Sequence, residues 1–457
     1  MEWRHRGYPL TVMTPRPPVA LYVHLPFCVA RCPYCDFVVY AGADARGPRA
    51  RTERLYAAVE RELGLRADAL DERFGGPDAA GLGGGGAACP DGADPRRPLR
   101  TVYFGGGTPS LVPAEWLERL MATIRARFRV AADAEITLEA NPGADERGDP
   151  AAFRRAGVTR ISFGAQSMDA RELRRVGRRH SPEDVTVAVA QARAAGIASI
   201  NLDLLYDIPG QSVEAWRASL EAALALGPDH LSLYALTLDD PDDEGITGVG
   251  GDHLPTSPGA RRWRERARSE QDDDRAADQY FAATDLLGAR GWWGYEISNW
   301  ARPGHESRHN LVYWQREPYE AVGPGAHAFD GATRRWNAAA MEPYMQALLP
   351  GRRSTNAAIA TKAAATTGAA AGEEAGLPPG GRETLDPATA EAEEMILALR
   401  LDRGVPEAAA AEPPLAEIRT WAESAGLVES VVLDGEQRVR LTTRGRLLSN
   451  ELFARLL

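Results

Sequence analysis

Apolar residues along this chain keep two rhythms that alternate with one another. Short β-branched and aromatic runs predict strands at Ala20–Leu25, Thr101–Phe104, Glu135–Glu139, Thr159–Phe163, Ile197–Asp203 and His230–Leu236. Apolar positions at helical spacing predict helices near Arg51–Leu65, Pro113–Phe128, Pro150–Ala156, Pro182–Ala195 and Ser212–Leu226. The alternation amounts to six β-α units. Right-handed crossovers force the strands parallel, and about six such units curl into a partial or complete barrel of the TIM type. Trp292–Ile297 reads as one more strand at the edge. Helical periodicity returns at Ala392–Leu401 and leads into a helix, hairpin and helix sequence, with Asp434-Gly435 turning between Ser430–Leu433 and Arg438–Leu441. The expected fold is therefore α/β: a partial (β/α)6 TIM-like barrel with a small C-terminal α+β winged-helix-like domain.

Breaks in the pattern divide the 457 residues. Residues 1–19 are a polar, proline-rich lead-in expected to be disordered, and 20–238 carry the barrel. Within the barrel, 66–97 collapse into Gly, Ala, Asp and Pro, a flexible insertion holding Cys89, which is given a bystander role. Residues 239–349 hold an acidic and arginine-rich stretch, Asp239–Asp278, read as a solvated surface excursion, and then a barrel-edge segment. Residues 350–385 read as an Ala/Gly/Thr linker and 386–457 as the C-terminal domain. The net charge of −11 argues against binding nucleic acid through a broad basic face. The chain has no run of about 18 apolar residues to span a bilayer and no apolar signal core in its first twenty residues, so the expected location is the cytoplasm.

The polar residues change the picture most. Gly105-Gly106-Gly107-Thr108 follows the second predicted strand, Glu139 ends the third, Gln166 follows the fourth, Asp203 ends the fifth, and Tyr234 lies near the end of the sixth. Functional side chains of β/α barrels gather at the C-terminal strand ends. There too lies the loop after Ala20–Leu25, with Cys28, Cys32 and Cys35 in a C-x3-C-x2-C pattern. Three thiolates in one loop can ligate three irons of a [4Fe-4S] cluster and leave the fourth iron open to a small molecule. Zinc stays as the plainer alternative, although the chain lacks paired C-x2-4-C units; a disulfide framework fits three cysteines poorly. Three glycines let the backbone approach a ligand and turn carbonyls toward an ammonium group, and Glu139 can bind ribose hydroxyls or an ammonium. Each feature alone is commonplace, a tight turn or an exposed carboxylate; together on one rim they point to a cofactor site.

The cysteine pattern with Tyr34 between its last two members, the Gly-Gly-Gly-Thr-Pro loop and the strand-end Glu139 resemble the radical S-adenosylmethionine (SAM) superfamily. Tyr22–Cys28, Phe104–Pro109, Glu139–Pro142, Ser162–Ser167 and Asn201–Gln211 more closely resemble the oxygen-independent coproporphyrinogen III oxidase family, over residues 20–238 and, more loosely, from Asp386. The resemblance implies that SAM binds the open iron and that a cluster electron cleaves it to a 5′-deoxyadenosyl radical. By position, Tyr22, Gly106 and Glu139 match residues that contact this SAM, and Gly107, Thr108, Gln166, Arg178 and Asp203 match positions for a second SAM.

Within the family the sequence resembles the haem chaperone branch. The oxidases carry a cysteine two positions after the triplet, where this chain has Asp36-Phe37, and a longer N-terminal segment. His309-Asn310-x-x-Tyr313-Trp314 is a motif of the chaperone branch. A histidine among aromatic residues suits a haem site, with His309 the first candidate ligand and His327 the second. The resemblance implies haem, SAM, an electron donor and haem-receiving apoproteins as partners, and leaves a homodimer open. The rival expectation is oxidative decarboxylation of coproporphyrinogen III, and a plainer third one is a cluster-stabilised scaffold.

Overall fold

The computed structural model describes residues 14–44, 51–75, 98–248, 251–349 and 376–457. Cys89 lies outside the described residues. The barrel strands are β1 (Ala20–Leu25), β2 (Leu99–Gly106), β3 (Val130–Ala140), β4 (Arg160–Gln166), β5 (Ser199–Tyr206) and β6 (His230–Ala235). They pair in sequence order and all in parallel. Beyond β6 lie β7 (Asn299–Ala301) and the two-residue Trp293–Gly294, both antiparallel. On the other side β1 pairs in parallel with β8 (Tyr319–Val322), followed antiparallel by β9 (His327–Phe329), β10 (Thr333–Asn337) and β11 (Gly380–Thr384). The result is one curved, twelve-stranded mixed sheet, a partial barrel with seven parallel strands at its centre.

Three expectations need correction here. The edge strand expected over Trp292–Ile297 is confined to Trp293–Gly294, because Tyr295 and Glu296 turn inward to bind buried partners, and the longer edge pairing falls on β7. Residues 380–384, assigned to a linker, form β11 and extend the sheet. The helix starting at Thr52 runs on to Phe74, well into the stretch assigned to the 66–97 insertion, since Arg66 and Ala67 continue its buried face.

Alternation along the strands explains the packing. Leu21, Val23, Val102, Phe104, Ile136, Leu138, Ile200 and Leu202 point to the outer helices and join the main core. The alternate residues are largely polar and bond to one another on the enclosed side. His230 Nδ1 and Asn201 Oδ1 lie 2.6 Å apart, and Asn201 donates to Ser162 Oγ and Asp203. The helices that cover the sheet, α1 (Thr52–Phe74), α2 (Ala114–Phe128), α3 (Pro150–Ala156), α4 (Pro182–Ala194) and α5 (Val213–Ala225), start where local chemistry dictates. α4 opens with a capping box, in which Ser181 Oγ accepts from Asp184 N while the Asp184 carboxylate takes Ser181 N, and Pro182 sits at the first helical position.

Two further helices close the barrel's ends. α6 (Pro258–Arg268) belongs to the stretch read as a solvated excursion, yet it packs on the cysteine loop: Arg264 is buried and donates to the carbonyls of Pro33 and Cys35, each at 3.2 Å. Charge in this stretch is partly spent on holding backbone carbonyls, which composition does not reveal. α7 (Arg308–Trp314) covers the opposite end, where the backbone N–H groups of Arg308 and His309 donate to Glu135 in the middle of β3.

The C-terminal domain has its own core of Leu399, Val405, Leu415, Ala422, Val439, Leu441 and Leu452 around a three-stranded antiparallel sheet and short helices, in a winged-helix-like arrangement. It is fastened to the barrel by Arg400, 2.9 Å from the fully buried Glu296, and by Arg446 donating to Gly294 O at 2.9 Å.

Glu62 on α1 is a buried junction. It accepts from Arg66 at 3.2 Å, Gly323 N at 2.9 Å, Asn337 Nδ2 at 2.8 Å and Tyr344 OH at 2.7 Å. Removing one partner strands the buried Arg66 charge, a loss of about 3–5 kcal/mol. Glu62→Ala is therefore expected to lower the unfolding free energy by that amount, read as a lower urea midpoint with the m-value unchanged, and an unmoved midpoint would refute the role.

Candidate functional site

The cysteine loop leaves the end of β1 and is stitched to the end of β2. Gly107 N donates to Leu25 O at 2.9 Å and Thr108 N to Phe27 O at 2.8 Å. Thr108 Oγ1 lies 3.1 Å from Cys28 Sγ and accepts from Asn141 Nδ2 at 3.0 Å. The glycines are required by close packing against the protein itself. A Cβ at Gly105 would meet the rings of Tyr22 and Tyr103, one at Gly106 (φ +111°) would lie 2.5 Å from His24 Cε1, and one at Gly107 would strike the backbone of Pro26 and Phe27. The expected open approach for a ligand is thus already taken up on the Cβ side, and the triplet's role is to fold the loop down tightly.

Tyr22, Gly106 and Glu139 come together as expected for one binding locus. Tyr22 stacks on Tyr103 with ring centroids 6.0 Å apart, Tyr103 OH donates to Glu139 Oε1 at 2.8 Å, and Gly106 N donates to Glu139 Oε2 at 3.0 Å. Tyr22 OH is also 3.1 Å from His24 Nδ1, and His24 Nε2 is 3.0 Å from Val38 O, so β1 grips the far end of the cysteine loop. Burial raises the Glu139 carboxyl to about 7, helped by the charge of Asp203 and opposed by its two donors. Asp203, held by Ser162 and Asn201, is also raised by burial.

Arg178 reaches across the mouth. Its Nη1 is 3.5 Å from Cys32 Sγ, its Nη2 donates to Gly164 O at 2.6 Å, and it also bonds the side-chain oxygen of Asn141. Gln166 sits beside it in a left-handed conformation, φ +66°, with its amide nitrogen 3.0 Å from where a Gly164 Cβ would lie. Tyr34 lies between the thiols, Arg178 and Trp263, its ring 6.4 Å from the indole. Sequence reasoning missed Asn141, Arg264 and Trp263. Asn141 was legible beside Glu139; the other two sat in a charged run with no distinguishing signal.

In chemistry the donor set, three free thiols on one loop, suits an iron–sulfur cluster, although among the described residues no three His, Cys, Asp or Glu side chains are gathered closely enough to hold a metal ion as they stand. All three thiols are unpaired and interact electrostatically. Burial pushes Cys28 up to about 11 against the hydrogen bond from Thr108, and desolvation with the neighbouring sulfurs pushes the half-buried Cys35 up to about 12, so both rest as neutral thiols and their ligation as thiolates would need the cationic charge that bound iron supplies. Arg178, whose Nη1 is beside Cys32, keeps its Nε buried without a partner.

His309 is not brought to this rim. It lies below the site, toward the opposite end of the barrel, 1 % exposed, its ring 6.4 Å from that of Tyr22 and 4.9 Å from that of Tyr103, with Nδ1 2.8 Å from Thr101 Oγ1 and Nε2 2.8 Å from Tyr313 OH. Burial lowers its pKa to about 3, so it is a neutral imidazole with both nitrogens engaged.

A barrel whose cysteine loop, glycine loop and strand-end carboxylate converge in this way is a radical SAM fold, and the Radical SAM superfamily model matches residues 91–223. Coproporphyrinogen III oxidase (HemN) from Escherichia coli superposes with a TM-score of 0.68 at 21 % identity, over 98 % of this chain and 92 % of that one. The Mycobacterium tuberculosis protein named heme chaperone HemW is 35 % identical over the full length of both chains. The E. coli K12 heme chaperone HemW is 36 % identical over 69 % of this chain and 71 % of its own. The chain belongs to the heme chaperone HemW family.

Raised above its unfolded value, the Glu139 carboxyl contributes stability that is complete below about pH 4.5 and lost as pH rises through about 7. Without SAM, Glu139→Gln is expected to exceed the native chain's unfolding free energy by about 3 kcal/mol near pH 8, the gap closing near pH 4. Urea titrations at the two pH values check this; a gap independent of pH would refute it.

Proposed function

We propose that this protein binds haem and delivers it to apoproteins, holding a [4Fe-4S] cluster on Cys28, Cys32 and Cys35 and SAM beside it. The full-length match to a heme chaperone HemW carries the reading. Phe37, where the oxidase branch has cysteine, supports it. When bound, the cluster supplies one-electron reduction of SAM. The chain's own residues do the rest. Glu139, Gly106 and Tyr22 orient a first SAM through its polar groups. Gly107, Thr108, Gln166, Arg178 and Asp203 line the place for a second. Arg178 offsets sulfur charge at Cys32, and Tyr34 with α6 screens the loop from water. An electron donor and haem-receiving apoproteins are the partners, in the cytoplasm. Among the described residues no helix is long and apolar enough to cross a membrane.

His309 was the expected haem ligand, and as placed it would have to give up Thr101 or Tyr313 to take iron. The oxidase reading is the alternative, favoured by the HemN-like fold. Anaerobically reconstituted protein is expected to bind haem and, with SAM, reductant and coproporphyrinogen III, to form no protoporphyrinogen. Product formation would transfer the protein to the oxidase class. Cys32→Ser is expected to lose the cluster's visible absorption and leave haem uptake by the purified chain in place.

A further inference from the structure

A second group of side chains stands at the cluster end of the barrel. β8 runs parallel to β1, so the turn Gly323–Ala326 lies at the end that carries the cysteines, and His327 begins the returning strand there. His327 Nε2 is 2.9 Å from Asp252 Oδ2, and its ring stacks on that of its cross-strand partner Trp336, with centroids 6.0 Å apart and planes 22° apart. The other Asp252 oxygen is 3.0 Å from His253 Nδ1. A Cβ at Gly325 would lie 2.6 Å from Val38 and 3.1 Å from Asp252 O, which places the group against the residues that follow Cys35. Among these is Phe37, a large apolar side chain left 63 % exposed.

We propose that His327, aligned by Asp252 and Trp336, is the imidazole that takes the haem iron, with the porphyrin lying over the barrel mouth beside the cysteine loop. The inference rests on the haem-chaperone reading above. Its side chain is 43 % exposed, whereas His309 is sealed at the far end. A ring that donates Nε2–H to a carboxylate carries its lone pair on Nδ1, and a carboxylate partner both fixes the tautomer and raises the ligand's basicity. Asp252 faces both imidazoles, with Oδ2 on His327 Nε2 and Oδ1 on His253 Nδ1, and so aligns the His327 ring from behind. His253, on the other Asp252 oxygen, is the less open ring, with 30 % of its side chain exposed. His327 sits on a strand of the sheet, where packing fixes its direction.

The test is a hemin titration of the full chain and its variants, followed by the Soret band, with far-ultraviolet circular dichroism as the folding control. His327→Ala is expected to weaken binding at least about tenfold, and Asp252→Asn about tenfold, as loss of a carboxylate behind a ligating histidine does. His327→Tyr is expected to keep haem but convert the spectrum to that of a phenolate-ligated ferric centre, which a merely structural role would not produce. Wild-type affinity in His327→Ala, or loss confined to His253→Ala or His309→Ala, would overturn the site while leaving the haem reading intact. Failure of the native chain to bind hemin would overturn both.

Discussion

Desolvation of charge at the barrel mouth is the constraint on which the rest of the structure depends. The thiols of Cys28 and Cys35 and the carboxyls of Glu139 and Asp203 are all pushed toward their neutral forms at this mouth, with Arg178 beside Cys32. Such a group is costly unless something binds there, because each unpaired charge in a low-dielectric setting loses hydration it does not recover. The surrounding packing enforces the arrangement. Tyr22, Tyr103 and His24 fill the space beside the glycines, the loop is pinned by backbone bonds to β1, and Arg264 holds its outer carbonyls.

The same fold assigns different work to its two ends. At the strand C-termini, loops converge and leave charged groups incompletely paired. At the N-termini, α7 makes Glu135, Thr101, His309 and Tyr313 into a closed set of hydrogen bonds. The His-Asn-x-x-Tyr-Trp segment is therefore a floor for the barrel, and it reaches Glu139 indirectly, the His309 ring lying tilted 4.9 Å from the Tyr103 ring whose hydroxyl bonds that carboxylate. A motif can mark a family through its structural part as readily as through its chemistry.

The parallel barrel, its six consecutive strands and the convergence of cysteines, glycines and Glu139 were legible in the sequence, because hydrophobic period and right-handed crossovers leave few alternatives. The helix starts were equally legible, since Ser181, Asp184 and Pro182 act within one turn. Less could be read where partners are far apart in sequence. Arg264 meets Cys35 across 229 residues, and Glu62 meets Gly323 across 261, so neither could be told from a solvated charge.

What the sequence determined by itself is the set of chemical groups and the end of the barrel on which strand-end residues must lie, both consequences of local periodicity and chain direction. What only the tertiary structure decided is which histidine is sealed and which is open. His309 and His327 are 18 positions apart in one aromatic-rich stretch. Because β8 runs parallel to β1 between them, one is buried in the floor and the other emerges at the end that carries the cysteines.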